Sequence, residues 1–331
     1  MSTSASDVDV AVVIPAFNAA ETLGAALASI AGQRVQPAEV IVVDDGSRDG
    51  TVAIAQRWMA MLPLRVVQMR TNGGPGQARN EGVRQSSSPM IAFLDADDVW
   101  FPNHLTTCLA LQARTGGVVS GRGLRWHEQR GIIPGQGEDG DVGPPADGVL
   151  EWLVRHHTFG MHAVMPRSIF EQVGGFDPAL EGVEDWDLWI RIAEAGCPMH
   201  RTETRTFLYR QHESNLSLQV DRIGDACNRV HERVARDHRP LSKGLRSALR
   251  HSGALVAFSR ASVRLDIGDF RGARRYAIRA LHGPASISLR ATAIVTAPRL
   301  YARLRGPLRS SGPSSDSANH PPEPRPETLD T

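Results

Sequence analysis

From Val8 onward the chain alternates short runs of β-branched residues with longer segments in which apolar residues recur at helical spacing. The short runs predict strands, and they read VAVVIP, EVIVVDD, LRVVQM, MIAFLD and GVVSG. The longer segments, such as 21–30 and 51–61, predict helices. Strands that alternate with helices need crossover connections. The pattern therefore predicts an α/β fold with a single, mostly parallel, twisted sheet flanked by helices.

The composition of the chain changes after residue 127. Residues 128–148 are rich in Gly, Pro and Asp and have no periodicity, which predicts a long loop that covers the neighbouring site. Helices are predicted at 149–156 and from about Val183. We therefore expect a main domain at 1–240, a C-terminal helical extension at 241–309 and a disordered Ser/Pro/Glu-rich tail at 310–331.

Composition and charge narrow the class of protein. With 41% hydrophobic residues, a chain of 331 residues can bury a full core, and a formal net charge of +1 predicts no general attraction to nucleic acid. Cys108, Cys197 and Cys227 lack metal-ligand spacing and fit reduced thiols. No uninterrupted apolar run reaches the roughly 18 residues of a membrane span. We expect a soluble cytoplasmic protein.

The Arg-rich segments after Leu241 leave three readings open. They could lie on the inner face of an anionic membrane, mediate dimerisation, or pack on the main domain. Packing is the simplest reading, because the apolar face of residues 291–304 is short and is interrupted by Pro298.

Polar signatures follow three of the predicted strands at their carboxyl ends. They read PAFN, DDGS and DADD, and in a parallel sheet they should meet in one crevice. The carboxylates of Asp95, Asp97 and Asp98 repel one another, so a strand end keeps such a cluster mainly where a cation or solvent offsets the repulsion. A divalent cation would find oxygen ligands here. A solvated turn in which Asp97 or Asp98 caps the next helix is the structural alternative.

Two further segments carry potential binding chemistry. Asp44-Asp45-Gly46-Ser47 could accept hydrogen bonds from a base or ribose, or could simply start a helix. Residues 73–80, GGPGQARN, form a Gly-rich turn whose amides suit an anion, with Arg79 in reach of a diphosphate. The turn has neither the Lys-Ser/Thr of a P-loop nor GxGxxG spacing.

Five motifs in series resemble those of the family 2 glycosyltransferases. They are VVIPAFN at 12–18, VDDGS at 43–47, residues 72–82, FLDADD at 93–98, and GGFD at 174–177 followed by EDWDLWIR at 184–191. The resemblance covers about two thirds of the chain. It implies a GT-A fold, a nucleotide-diphosphate sugar donor, divalent Mn or Mg, and transfer with inversion.

The same resemblance assigns roles to residues. It implies Asp185 as the general base, with Glu184 beside it. Donor contacts are implied for Pro15, Ala16, Asn18, Asp44, Asp45, Gly74, Arg79, Asp95, Ala96, Asp97 and Arg210. Metal ligands are implied at Asp97, Asp98 and His212. The histidines at 156, 157, 162 and 200 are interpreted as structural.

Local sequence supports a base at Asp185. Trp186, Trp189, Ile190 and Ala193 share one helical face, which leaves Asp185 at the helix N-terminus, where the dipole favours its ionised form. An acidic cap over a buried tryptophan pair would look the same.

The sequence thus predicts a glycosyltransferase for cell-surface polysaccharide, with UDP-sugar as the favoured donor. The acceptor, a saccharide or a lipid-linked sugar, would be read by residues 116–176. A nucleotidyltransferase would instead be expected to carry a Gly-rich turn with a basic residue after the first strand, and here that position reads PAFNAAETL. A catalytically idle nucleotide-sugar-binding scaffold would be expected to lack Asp97, Asp98 or Asp185, and all three are present.

Overall fold

The structure is a computed structural model that describes residues 9–127, 129, 131–132, 143–157, 159–211 and 220–305. Three sequence predictions fall outside these residues: the metal ligand His212, the loop at 133–142 and the tail at 310–331.

The described residues form one mixed sheet. Its strands are β1 (Val10–Ala16), β2 (Glu39–Asp44), β3 (Leu64–Gln68), β4 (Met90–Phe93), β5 (Val99–Trp100), β6 (Val118–His127), β7 (Gly131–Ile132), β8 (Ala163–Pro166) and β9 (Met199–Gln211). Their order is β3-β2-β1-β4-β8-β6-β9-β5, with β7 paired to β6.

The two halves of the sheet pair differently. Strands β3, β2, β1 and β4 are parallel throughout, as the strand and helix alternation predicts. Strand β8 is antiparallel to both β4 and β6, whereas β9 runs parallel to β6 and antiparallel to β5. Because β8 opposes β4, the residues just before β8 lie beside the carboxyl end of β4.

Helices cover both faces of the sheet and continue beyond it. They are α1 (Leu23–Ala31), α2 (Thr51–Arg57), α3 (Gly74–Gln85), α4 (His104–Thr115), α5 (Val149–His156), α6 (Arg167–Gln172), α7 (Glu184–Glu194), α8 (Val220–Asp237), α9 (Lys243–Asp266), α10 (Phe270–Ala280), α11 (Ala285–Thr296) and α12 (Pro298–Arg305). The α/β fold class is confirmed, and the predicted C-terminal helices are present.

Alternation along β1 explains the two layers of the core. Val10, Val12 and Ile14 belong to one buried cluster with α1 and α4, while Ala11 and Val13 belong to the other with α3 and α7. A strand that is buried on both faces reads as a continuous apolar run, as VAVVIP does. Helix α3 lies so close to β1 that a Cβ on Gly82 would be 2.3 Å from Val13 Cγ1.

The C-terminal helices form a third, alanine-rich cluster between α9, α10 and α11. The first turns of α9 pack elsewhere, because Leu245 and Ala248 are buried in the cluster that also contains α7. The division between 240 and 241 stays a prediction.

Two local predictions are corrected. The segment predicted as a loop from 128 to 148 contains β7, whose Gly131 and Ile132 pair with His127 and Trp126. Helix α8 was not predicted.

In the part of the chain that the structure describes, no helix is long and apolar enough to cross a membrane.

Candidate active site

The loops that follow β1 and β2 are bonded to each other at the carboxyl edge of the sheet. Asn18 has a left-handed φ of 48°; its backbone N–H donates to Ser47 Oγ at 2.8 Å, and its Oδ1 accepts from the Arg48 N–H at 2.9 Å. Pro15 and Ala16 are buried directly before this loop. The first two predicted donor-binding motifs therefore form one continuous surface.

Asp45 links this surface to the Gly-rich turn. Its carboxylate accepts from the backbone N–H groups of Gly73 and Gly74, each at 2.8 Å, while the Asp45 N–H donates to the carbonyl of Ala16. Burial raises the pKa of Asp45 despite these two hydrogen bonds. In this structure the anion held by these amides is the side chain of Asp45, and the donor contact of Gly74 stays a prediction.

Asp44 is also buried, and its Oδ1 accepts from the Ser47 N–H at 3.3 Å. This bond turns the chain back toward Asn18. Asp44 and Asp45 thus shape the loops that border the crevice.

Arg79 joins the third and fifth motifs. From α3 its Nη2 lies 2.6 Å from Asp95 Oδ1 and its Nη1 lies 2.9 Å from Glu184 Oε1, with the guanidinium 5.5 Å from the centre of the Phe176 ring. Only 5% of the Arg79 side chain is exposed. In this structure both ends of the guanidinium are paired with carboxylates, and the contact of Arg79 with a diphosphate stays a prediction.

Asp95 takes its charge state from this pair. Burial acts to raise the pKa of Asp95, but the charge and hydrogen bond of Arg79, together with His162, outweigh burial, and the pKa is lowered. Asp95 and Asp97 are half-buried, whereas Ala96 and Asp98 are buried. Asp95 and Asp97 are therefore more accessible to a ligand than Ala96 and Asp98.

Asp98 is held by a chain of side chains. Trp100 Nε1–H donates to His162 Nδ1 at 3.1 Å, and His162 Nε2 lies 2.8 Å from Asp98 Oδ2. Since Nδ1 accepts, the neutral imidazole carries its proton on Nε2 and donates it to Asp98. The second oxygen, Oδ1, accepts from the Arg210 N–H at 2.7 Å. Burial raises the pKa of Asp98 to about 6.

Arg210 closes the crevice from β9. Its Nε–H donates to the Asp97 carbonyl at 2.9 Å, and its guanidinium lies 4.5 Å from the centre of the Trp126 ring. The side chain stacks on an aromatic face, which orients a cation beside the DADD turn. Arg210 therefore places a cation beside the DADD turn, and its contact with a diphosphate stays a prediction.

Asp185 and Glu184 occupy the first turn of α7. Glu184 is buried, with Oε1 on Arg79 and Oε2 accepting from the Gly182 N–H at 2.6 Å. Asp185 is half-buried, and its Oδ1 accepts from the Trp186 N–H at 2.7 Å. The predicted helical face is confirmed, since Trp186, Trp189 and Ile190 are buried.

The pKa of Asp185 departs from its ordinary value. Burial and the neighbouring Glu184 carboxylate raise the pKa of Asp185 to about 7, against the opposing effects of Arg79 and the Trp186 N–H. A carboxyl with a pKa near neutrality suits proton transfer.

A divalent metal would find hard oxygen ligands at the DADD turn. The residues described by the structure contain no group of three or more His, Cys, Asp and Glu that could hold a metal. Both oxygens of Asp98 accept hydrogen bonds, and its metal role stays a prediction. Asp95 and Asp97 carry the half-buried carboxylates of this turn, whose oxygens suit a hard divalent cation.

His162 is the site residue that the sequence analysis missed, since it was interpreted as structural. Its segment, MHAVMP, was recognised as strand-like, but the antiparallel pairing of β8 with β4 is what brings it beside Asp98. The sequence alone carries no signal for that pairing. His157 also lies close to the site, with its ring 3.7 Å from that of Trp186.

Comparisons with known proteins identify the family of the chain. A family model described as glycosyl transferase family 2 matches residues 11–174. The succinoglycan biosynthesis protein ExoU of Rhizobium meliloti is 41% identical over 272 residues, which cover 71% of this chain and 78% of ExoU. The chain therefore belongs to glycosyltransferase family 2 and is an enzyme of the glycosyltransferase type.

Other relatives extend the comparison. ExoO of the same organism is 30% identical over 235 residues, covering 65% of each chain. An uncharacterized glycosyltransferase of Rickettsia conorii is 26% identical over 233 residues, and the match spans 37% of that longer protein. The chain thus corresponds to little more than a third of some relatives.

Solved structures share the fold. S. aureus TarS 1–349 in complex with UDP-GlcNAc has a TM-score of 0.64 at 17% identity, with 87% of this chain and 88% of that chain covered. The mannosyltransferase PcManGT of Pyrobaculum calidifontis, in complex with GDP-Man and Mn²⁺, has a TM-score of 0.58 at 21% identity, covering 90% and 85%. These likenesses establish the GT-A type fold.

Proposed function

We propose that the protein transfers a sugar from a nucleotide-diphosphate donor to an acceptor hydroxyl with inversion, in the synthesis of a cell-surface polysaccharide. The observation that carries this proposal is the single network that connects Asp45, the DADD turn, Arg79 and Glu184 beside Asp185. The names of the relatives ExoU and ExoO support the polysaccharide.

Each part of the network has a chemical task in this proposal. The loops around Asn18 and Asp45 border the base and ribose, and Arg210 faces the diphosphate. Asp185, with a pKa near 7, removes the proton from the acceptor hydroxyl as it attacks the anomeric carbon. Glu184 and Arg79 hold α7 so that Asp185 stays at this edge of the sheet.

A divalent Mn or Mg ion, when bound, supplies positive charge to the leaving diphosphate. Asp97 and Asp95 are the described residues that would hold it, and His212 remains a predicted ligand. The indirect role of Asp98 is to fix the DADD turn through His162 and Arg210.

UDP-sugar is the proposed donor class, and the acceptor is a saccharide or a lipid-linked saccharide. A peripheral contact with the inner face of the membrane belongs to the same proposal. Residues 270–305 contain eight Arg and no Asp or Glu, and Leu289 and Leu304 on this segment are 75% and 79% exposed. Arginine beside exposed leucine suits an anionic bilayer surface.

Thermal unfolding with ligands tests the donor. UDP, GDP and dTDP, each with Mn²⁺, are compared for their effect on the melting temperature of wild type and Asp97→Ala. A ligand at about 100 times its Kd stabilises the folded state by roughly 2.7 kcal/mol. We expect one nucleotide to raise the midpoint only when Mn²⁺ is present and only in wild type. No shift with any nucleotide would contradict the proposal and favour an idle scaffold.

A further inference from the structure

A cavity of about 290 Å³ lies between α5, α8 and α9, outside the crevice described above. Its aliphatic wall is formed by Val220, Ile223, Leu255 and Val256, and its polar groups include Arg155 and Ser259. The volume is close to the lower end of the range for small-molecule sites. It could enclose part of a ligand, with the remainder passing Leu255, which is 38% exposed.

Two contacts connect this cavity to the segment that carries Asp185. His157 lines the cavity and stacks on Trp186 at 3.7 Å between ring centres. Ile223 packs against the turn before α7, since a Cβ on Gly182 would lie 3.1 Å from Ile223 Cγ1. The walls of the cavity therefore touch the chain on both sides of Asp185.

A hydrogen-bonded network joins two histidines of this wall. His157 Nε2 and His231 Nε2 lie 2.6 Å and 2.8 Å from the buried hydroxyl of Ser252. Burial lowers the pKa of His231 to about 4, so this ring is neutral at physiological pH. His231 therefore offers no cation to a ligand.

Arg155 is the cation that the cavity does offer. Its Nη1 lies 3.4 Å from His251 Nδ1 and its Nη2 lies 3.3 Å from Ser247 Oγ. Burial and the Arg155 charge lower the pKa of His251. Among the described residues, no carboxylate lies within ion-pair distance of Arg155. Its guanidinium can donate two parallel hydrogen bonds to the oxygens of an anion.

We propose that this cavity is the acceptor subsite and that it takes an amphiphilic anion, with an apolar chain against Ile223, Leu255 and Val256 and a phosphate or diphosphate on Arg155. This inference rests on the proposed function, because it names the substrate that Asp185 would activate. An aliphatic wall with one cation favours such a ligand over a free saccharide, which would need many more hydrogen-bonding groups.

Calorimetric titration of the full chain with three probes tests the proposal: dodecyl phosphate below its micelle concentration, dodecanol and inorganic phosphate. We expect dodecyl phosphate to bind more tightly than either fragment. Arg155→Gln should weaken the affinity for dodecyl phosphate at least about tenfold, which is the effect of losing one charge-assisted contact. The affinity for dodecanol should not change. Leu255→Asp places a charge in the aliphatic wall and should also weaken the binding of dodecyl phosphate. The matched control for Arg155→Gln is Arg250→Gln, which removes an exposed arginine of α9.

A rate measurement separates binding beside Asp185 from binding elsewhere. Dodecyl phosphate should lower UDP release from a UDP-sugar to water in wild type without changing the affinity for Mn²⁺ and UDP, and it should have little effect in Arg155→Gln. Equal affinity of wild type and Arg155→Gln, or an unchanged rate, would overturn the proposal. Mn²⁺-UDP titration of the same samples distinguishes the failures, because loss of nucleotide binding contradicts the proposed function and its retention confines the failure to the cavity.

Discussion

Replacing Arg79 by methionine should destabilise the protein strongly. Methionine keeps most of the side-chain length but removes the charge that lies 2.6 Å from Asp95 and 2.9 Å from Glu184. Side-chain exposure is 5% for Arg79, 27% for Asp95 and 6% for Glu184, so water cannot replace the lost partner at Glu184. Leaving a buried charge without its partner costs about 3–5 kcal/mol of unfolding free energy. We expect a loss of that size near neutral pH.

The loss should depend on pH in a defined direction. The pKa of Asp95 is lowered in the folded wild type, so its contribution is present above the unfolded pKa and disappears as pH falls through the folded pKa. In Arg79→Met the carboxylates take up protons more readily on acidification. The difference between variant and wild type should therefore be largest at neutral pH and shrink toward about pH 4.

Urea unfolding followed by far-ultraviolet circular dichroism measures this difference at both pH values. Arg84→Met is the matched control, because Arg84 lies on the same helix but is 69% exposed in its pair with Glu81, and such surface pairs contribute little. If Arg79→Met costs no more than Arg84→Met, or if its cost does not change with pH, the buried bridge between the third and fifth motifs is not what stabilises this site.

Four further predictions concern the pH dependence of the rate, the stability of Asp185→Asn, the DADD turn and the membrane. With a base whose pKa is raised to about 7, kcat/KM should rise with pH to a plateau with a midpoint near 7, measured as initial rates between roughly pH 5 and 9; a flat profile would contradict the role of Asp185. Because a raised carboxyl pKa opposes folding above its unfolded value, Asp185→Asn should be more stable than wild type at neutral pH and lose this advantage near pH 4, which urea titration would detect. His162→Phe should weaken Mn²⁺-UDP binding by removing the proton donor to Asp98, whereas Gln, which keeps an N–H, should restore part of it; equal affinities in calorimetry would exclude this positioning role. Vesicles with anionic lipid should co-sediment the protein in a salt-sensitive manner, and Leu289→Asp with Leu304→Asp should abolish this; sedimentation that ignores both lipid charge and these changes would refute the membrane contact.

The parallel half of the sheet could be predicted from sequence because each strand is followed by its own helix. Local periodicity fixes β1, α1, β2 and α2, and the crossover rule then fixes their neighbours. The order of β6, β8 and β9 depends on pairing between segments far apart in the chain. Periodicity carries no such information, so the position of His162 beside Asp98 could not be predicted.

The residue types of the site could be predicted from the sequence, but the charged groups with which they pair could not. Arg79 and the Gly73-Gly74 amides look like anion-binding groups, and they do bind anions, which are the carboxylates of Asp95, Glu184 and Asp45. Whether a motif binds a ligand or another motif depends on tertiary distance. The raised pKa of Asp185 could not be predicted for a related reason, because burial and the charge of Glu184 depend on the folded structure.

Release of UDP from a panel of UDP-sugars, by wild type and Asp185→Asn in Mn²⁺, tests the central claim most directly, with nucleotide affinity measured in parallel. A general base contributes about 10²–10⁴-fold to the rate, and asparagine keeps the size of the side chain. We expect the wild type to release UDP from at least one sugar, and Asp185→Asn to bind Mn²⁺-UDP equally well but to be at least about 100-fold slower. Turnover at the wild-type rate by Asp185→Asn, or none by wild type with any donor, would contradict the account.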